Sequence, residues 1–135
     1  MAEVAVDRKT GRVQVKRVVS AVDVGLVVNP DGLRQQVEGC IAMGLGYSLS
    51  EEVHFKDGEV LDRNFDSYPL PRFSWMPKVE IILIDNPGTP ALGGGEPPII
   101  TMGAVIANAI YDDAGIRLRQ LPMTPARVLE ALKNA

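Results

Sequence analysis

The sequence holds one cysteine and one histidine in 135 residues. A single cysteine excludes a disulfide framework, and one cysteine with one histidine excludes an ordinary all-protein zinc site. Basic charge is also short. Fourteen Lys and Arg against seventeen Asp and Glu give a net charge of −3, which excludes a strongly basic nucleic-acid binder. No apolar run approaches the roughly 20 residues that cross a bilayer, so no membrane span is expected. The opening Met1-Ala2-Glu3-Val4 lacks a basic segment followed by an apolar one, so no signal peptide is expected on this chain. Internal repeats, low-complexity tracts and a convincing domain boundary are missing too. What is present is a globular composition, 46% hydrophobic and 23% charged, with 13 Gly and 10 Pro gathered into a few tight spots. A chain this long buries roughly two-thirds of its unfolded surface without covalent staples.

Local patterns predict one α+β unit over residues 1–135, with β-hairpins and a short sheet packed against two main helices and a short C-terminal helix. Glu3–Asp7 alternates like a half-buried strand, Arg8-Lys9-Thr10-Gly11 supplies a turn, and a valine-rich strand follows to about Val24. Asn29-Pro30-Asp31 is a helix start, and Leu33, Val37, Cys40, Ile41, Leu45 and Leu49 recur at helical spacing behind it. Gly39, Gly44 and Gly46 interrupt that helix at about 1 kcal/mol each relative to alanine. Close helix packing or close approach of a ligand would offset the cost, and packing is the more ordinary cause. Asp57-Gly58 marks a second hairpin, Glu52–Phe55 with Glu59–Leu61. Arg63–Pro77, with three prolines and four aromatics, reads as an irregular packed segment. Val79–Ile84 reads as a strand covered on both faces. Pro97-Pro98 opens a helix that runs to Ala114, apolar almost all round and therefore expected to be buried, with Gly115 as its terminator. Thr124-Pro125 starts a short amphipathic helix to Lys133.

The most informative spot is Gly93-Gly94-Gly95-Glu96-Pro97-Pro98. Successive glycine amides before a helix start can form a concave anion nest. The later Gly-Lys-Ser/Thr element of a P-loop is missing, and so is a Gly-x-Gly-x-x-Gly fingerprint; no parallel βαβ context is evident. Glu96 stands between flexible glycines and a rigid Pro-Pro, where a carboxylate serves either as an N-terminal cap or as a general base. Gln36 is either a ligand-contacting amide or an exposed helix residue, and Glu38, two positions on, lies on a different face. Cys40 fits a small core residue, His54 a surface or packing residue, and Arg117 and Arg119 point to no ligand. No side chain is assigned as a direct metal ligand.

Gln36-Val37-Glu38-Gly39, Met43-Gly44-Leu45-Gly46-Tyr47 and Gly95-Glu96-Pro97-Pro98 occur in that order along the chain. With Ala21–Gly25, Asn29-Pro30, Asn64–Pro69, Ala107–Ile110 and Arg119–Pro122, they resemble the C-terminal part of the molybdopterin-binding large subunit of the xanthine dehydrogenase/aldehyde oxidase family. The likeness is greatest to the isoquinoline 1-oxidoreductase β-subunit type. It implies hydroxylation of an N-heteroaromatic or aldehyde substrate with oxygen from water. Glu96 would be the general base, Gln36 would lie at the molybdenum–molybdopterin cofactor, and Gly94 and Gly95 would be the backbone beside it. Met43 stands where many members have glutamine, so no cofactor contact is assigned there. The implied partners are the remaining large-subunit segments and an iron–sulfur subunit, since one cysteine cannot supply a cluster's four thiolates. The chain alone is expected to bind no cofactor tightly, to be inactive and to self-associate, in the cytoplasm or periplasm. The alternatives are a non-catalytic domain that binds a protein partner and, below it, a small anion-binding module on Gly93–Pro98.

Overall fold

A computed structural model describes residues 1–135. β1 (Ala2–Val6) and β2 (Val13–Val22) form the expected antiparallel hairpin, and Gly11 takes a left-handed φ of +73° at its turn. Pairing steps from Glu3–Arg17 to Val4–Val15, leaving Lys16 without an opposite residue. This bulge moves the inward set from Val15 to Val18 and Val22, keeping one face of a long strand in the core. β5 (Lys78–Leu83) adds to β2 in parallel, giving the order β1-β2-β5.

α1 (Pro30–Leu49) lies in the crossover between β2 and β5 and packs against both. The chain therefore does contain a parallel βαβ unit, contrary to the sequence reading. A long irregular passage after α1 hides it from local pattern. β3 (Phe55–Lys56) and β4 (Glu59–Val60) make the second hairpin, shorter than expected, around Asp57 and Gly58 at φ +51° and +83°. α2 (Pro97–Ile100) and α3 (Met102–Ala114) follow with an irregularity at Thr101 in place of one helix, and α4 (Pro125–Lys133) closes the fold. Gly115, in the left-handed region, ends α3, and the Thr124 hydroxyl accepts the Arg127 amide at the start of α4.

The core joins Val15, Val18 and Val22 of the sheet to Val37, Ile41 and Leu45 of α1 and Ile106 and Ile110 of α3. Three burial expectations fail. β5 is an edge strand with Ile82 about half exposed, because the helices cover only one face of the sheet. α3 buries a stripe containing Met102, Ile106, Ala109 and Ile110, while Ile100 and Tyr111 reach solvent. Within Arg63–Pro77, Tyr68 hydrogen-bonds to Glu51 and Trp75 is part-buried, but Phe65 and Phe73 stand outside the packing.

Candidate functional site

Asn29 accepts the Gly32 amide at 2.9 Å, and Pro30 supplies the first residue of α1. The helix so begun faces the loop that leads into α2. The Gln36 side-chain amide donates to the Gly95 carbonyl at 2.8 Å, across 59 residues of sequence. One turn on, the Cys40 thiol donates to the same carbonyl at 3.0 Å. Further along α1, the Tyr47 hydroxyl donates to the Ile99 carbonyl at 2.5 Å and accepts from the Gly103 amide at 3.3 Å. One helix thus ties down the segment carrying Glu96 on both sides. Glu96 starts α2 with its backbone, its carbonyl accepting from Ile99, while its exposed side chain caps nothing. The capping reading of Glu96 is therefore wrong: its carboxylate is free.

The three glycines divide by surroundings. A Cβ on Gly94 would meet Leu33 Cδ1 at 2.8 Å and Val24 Cγ1 at 3.4 Å, so this glycine lets the loop pass between core side chains. Gly93 and Gly95 have open space where a side chain would stand. None of the three takes a left-handed φ, so the alternation that builds an anion nest is missing. Gly44 confirms close packing within α1, for a Cβ there would meet Met102 Cγ at 2.5 Å. Gly39 does the reverse and faces open space, on the same exposed side of the helix as Gln36 and Met43.

The remaining polar residues lie apart. His54 contacts Asp62 through Nδ1 at 2.9 Å and Glu52 at 3.7 Å, and Glu52 pairs with Arg127 at 2.7 Å. The Arg127 guanidinium holds the Glu52 carboxyl below its ordinary value. The backbone amide of His54 does the same for Asp62. Arg117 stacks on Tyr111 and bonds to Asn108. A hollow of about 630 Å³ sits at the far end of α1, lined in part by Leu45, Leu49, Trp75 and Met123. It contains none of Gln36, Gly94, Gly95 and Glu96, and volume alone does not make it the site; convergent polar groups do. Sequence reasoning missed Cys40 and Tyr47 as donors to the loop. The four-residue step from Gln36 to Cys40 was the available signal.

Residues 1–77 match the molybdopterin cofactor-binding domain family. The chain is 40% identical over 132 residues to a subunit of the nicotinate dehydrogenase of Pseudomonas putida, covering 98% of this chain and 11% of that protein. It is 37% identical over 126 residues to the β-subunit of the isoquinoline 1-oxidoreductase of Brevundimonas diminuta, covering 93% of this chain and 16% of that one. The fold overlays the aldehyde oxidoreductase of Desulfovibrio gigas with a TM-score of 0.87 at 35% identity, over 98% of this chain and 15% of that structure. The chain thus spans between about a tenth and a fifth of the relatives it matches. Likenesses to these proteins run the whole length of the chain, and the match over its first 77 residues shows that this chain belongs to the molybdopterin cofactor-binding domain family.

Proposed function

We propose that this chain forms one wall of the active site of a molybdopterin-dependent oxidoreductase, with Glu96 as its general base. The observation that supports the reading is the Gln36–Gly95 hydrogen bond, which ties Gln36 to the residue just before Glu96, whose exposed carboxylate caps nothing. The donor set suits a molybdenum–molybdopterin cofactor held mainly by other segments. It offers the Gln36 amide as a donor and bare backbone at Gly39 and Gly95. When bound, the cofactor supplies the two-electron oxidation. Gln36 would orient it by its amide, and Gly94 would let the loop lie close to α1. Glu96 would take the proton from the water-derived oxygen that adds to an electron-poor carbon. The substrate class is an N-heteroaromatic compound or an aldehyde, in line with the names of the relatives. The remaining large-subunit segments and an iron–sulfur subunit would complete the enzyme.

The test is Glu96→Gln in the assembled enzyme. Cofactor content should persist while turnover falls by about 10²- to 10⁴-fold, the usual worth of a general base. Unchanged turnover overturns the assignment. A second reading, a non-catalytic domain that docks a protein partner, rests on Phe73, which is 95% exposed. It predicts that Glu96→Gln changes nothing and that Phe73→Ser abolishes partner binding.

A further inference from the structure

We infer that Cys40 is a positioning residue for Glu96, acting through the carbonyl of Gly95. The inference rests on the general-base reading for its functional meaning, and on the tether alone for its geometry. Leu92 is fixed by its amide on the Val24 carbonyl, and Glu96 by its own carbonyl on Ile99. Between them, the hydrogen bonds to the Gly93–Gly95 backbone are those that Gln36 and Cys40 make to the Gly95 oxygen. Gly93 and Gly95 pack against nothing where a side chain would be. Gly94 sits against Leu33 and Val24, and the polar hold on the backbone just before Glu96 is one carbonyl with two donors.

The two donors are not equivalent. A carbonyl oxygen has two lone pairs and accepts both at once. Gln36 is exposed, so its amide competes with water and is available to another acceptor. Cys40 is only 5% exposed, so its thiol has the Gly95 oxygen and little else to bond. The Gln36 amide also lies 3.7 Å from the Cys40 sulfur, within reach of both. If the Gln36 amide turns to the cofactor, the thiol keeps the carbonyl satisfied and the loop in place. Cys40 holds the loop and Gln36 is released. An apolar residue at position 40 would draw Gln36 back to the carbonyl and loosen the backbone that carries Glu96.

The chain has one cysteine, so its infrared S–H stretch is a single band that reports Cys40. In the full chain this band should lie at the lowered frequency of a donating thiol, and a free-thiol frequency overturns the inference. Two variants extend the test. Cys40→Val fills the volume without a donor, and Cys40→Ser restores one. The ¹³C shift of the Gly95 carbonyl should move in Cys40→Val and return in Cys40→Ser; equal shifts in both variants overturn the tether. In the assembled enzyme, Cys40→Val should lower kcat by roughly tenfold to a hundredfold, the cost of a small misplacement, with KM changed less than kcat and Cys40→Ser recovering most of the loss. If Glu96→Gln leaves turnover intact while the infrared and carbonyl signals behave as expected, the general-base reading fails and the tether stands. If those signals fail, the tether fails whatever Glu96 does.

Discussion

Gly39 and Gly44 stand five residues apart on α1, yet what surrounds them differs. A methyl group at Gly44 would press into Met102 near its backbone, so Gly44→Ala sets a helix-propensity gain of about 1 kcal/mol against an overpacking cost of about 1–3 kcal/mol. The cost wins, and urea unfolding should show a lower midpoint. At Gly39 that methyl would meet nothing within 4 Å beyond the adjacent residues and the backbone of its own helix. Gly39→Ala should therefore raise stability by about 0.5–1 kcal/mol. Sequence spacing shows the two glycines as the same kind of interruption, because what separates them is a neighbour nearly sixty residues away. Gln36 and Glu96 were legible as candidates, since each sits in a short motif of unusual residue types. That they meet through Gly95 was not, and neither was the donor role of Cys40, which depends on where a distant carbonyl comes to rest.

Elements with local signals read well. Asn29 and Pro30 start α1, Gly115 ends α3, and Asp57-Gly58 turns the second hairpin, because caps and turns depend on backbone and side chains within a few residues. Burial read less well. The apolar runs of β5 and α3 implied cover that the layer count does not provide. The β2–β5 pairing, equally invisible in sequence, carries a testable ion pair. Arg17 donates to Glu80 through two nitrogens at 2.9 and 2.7 Å, and Lys78 adds a contact at 3.2 Å. The hydrogen bonds from Arg17 and then Lys78 pull the Glu80 carboxyl from its ordinary 4.5 down to about 2. Between those values the unfolded chain takes up a proton that the folded chain refuses. The stabilisation is complete above about pH 4.5 and is lost as pH falls toward about 2. Glu80→Gln should remove this part of the acid slope. The check is the difference between wild-type and variant urea midpoints across that range, which also cancels the parallel contributions of Asp7, Glu52 and Asp62.

A compact monomer of 14.6 kDa exposes roughly 6,900 Å² by the usual scaling with mass, whereas this chain exposes 8671 Å². The surplus is not evenly apolar. The chain has three phenylalanines, and Phe55, Phe65 and Phe73 are 77%, 73% and 95% exposed. A folded protein normally spends its phenylalanines on the core, and here the core is built from Val, Ile, Leu and Met instead. A contiguous apolar patch marks a surface that another surface covers, and whether these three rings act as one is open to a direct test. In the enzyme proposed above that cover would come from other segments. For the chain by itself the available cover is a second copy, so sedimentation equilibrium should give an apparent mass that rises above 14.6 kDa with concentration. Replacing Phe55, Phe65 and Phe73 together with serine should return the mass to that of one chain. Because none of the three contributes to the core, the thermal midpoint should stay within a few degrees of wild type, about what a change of 1 kcal/mol or less produces at this size. A wild-type mass that stays at one chain across the concentration range would mean that these rings are simply solvated. A midpoint that collapses in the variant would mean that they pack.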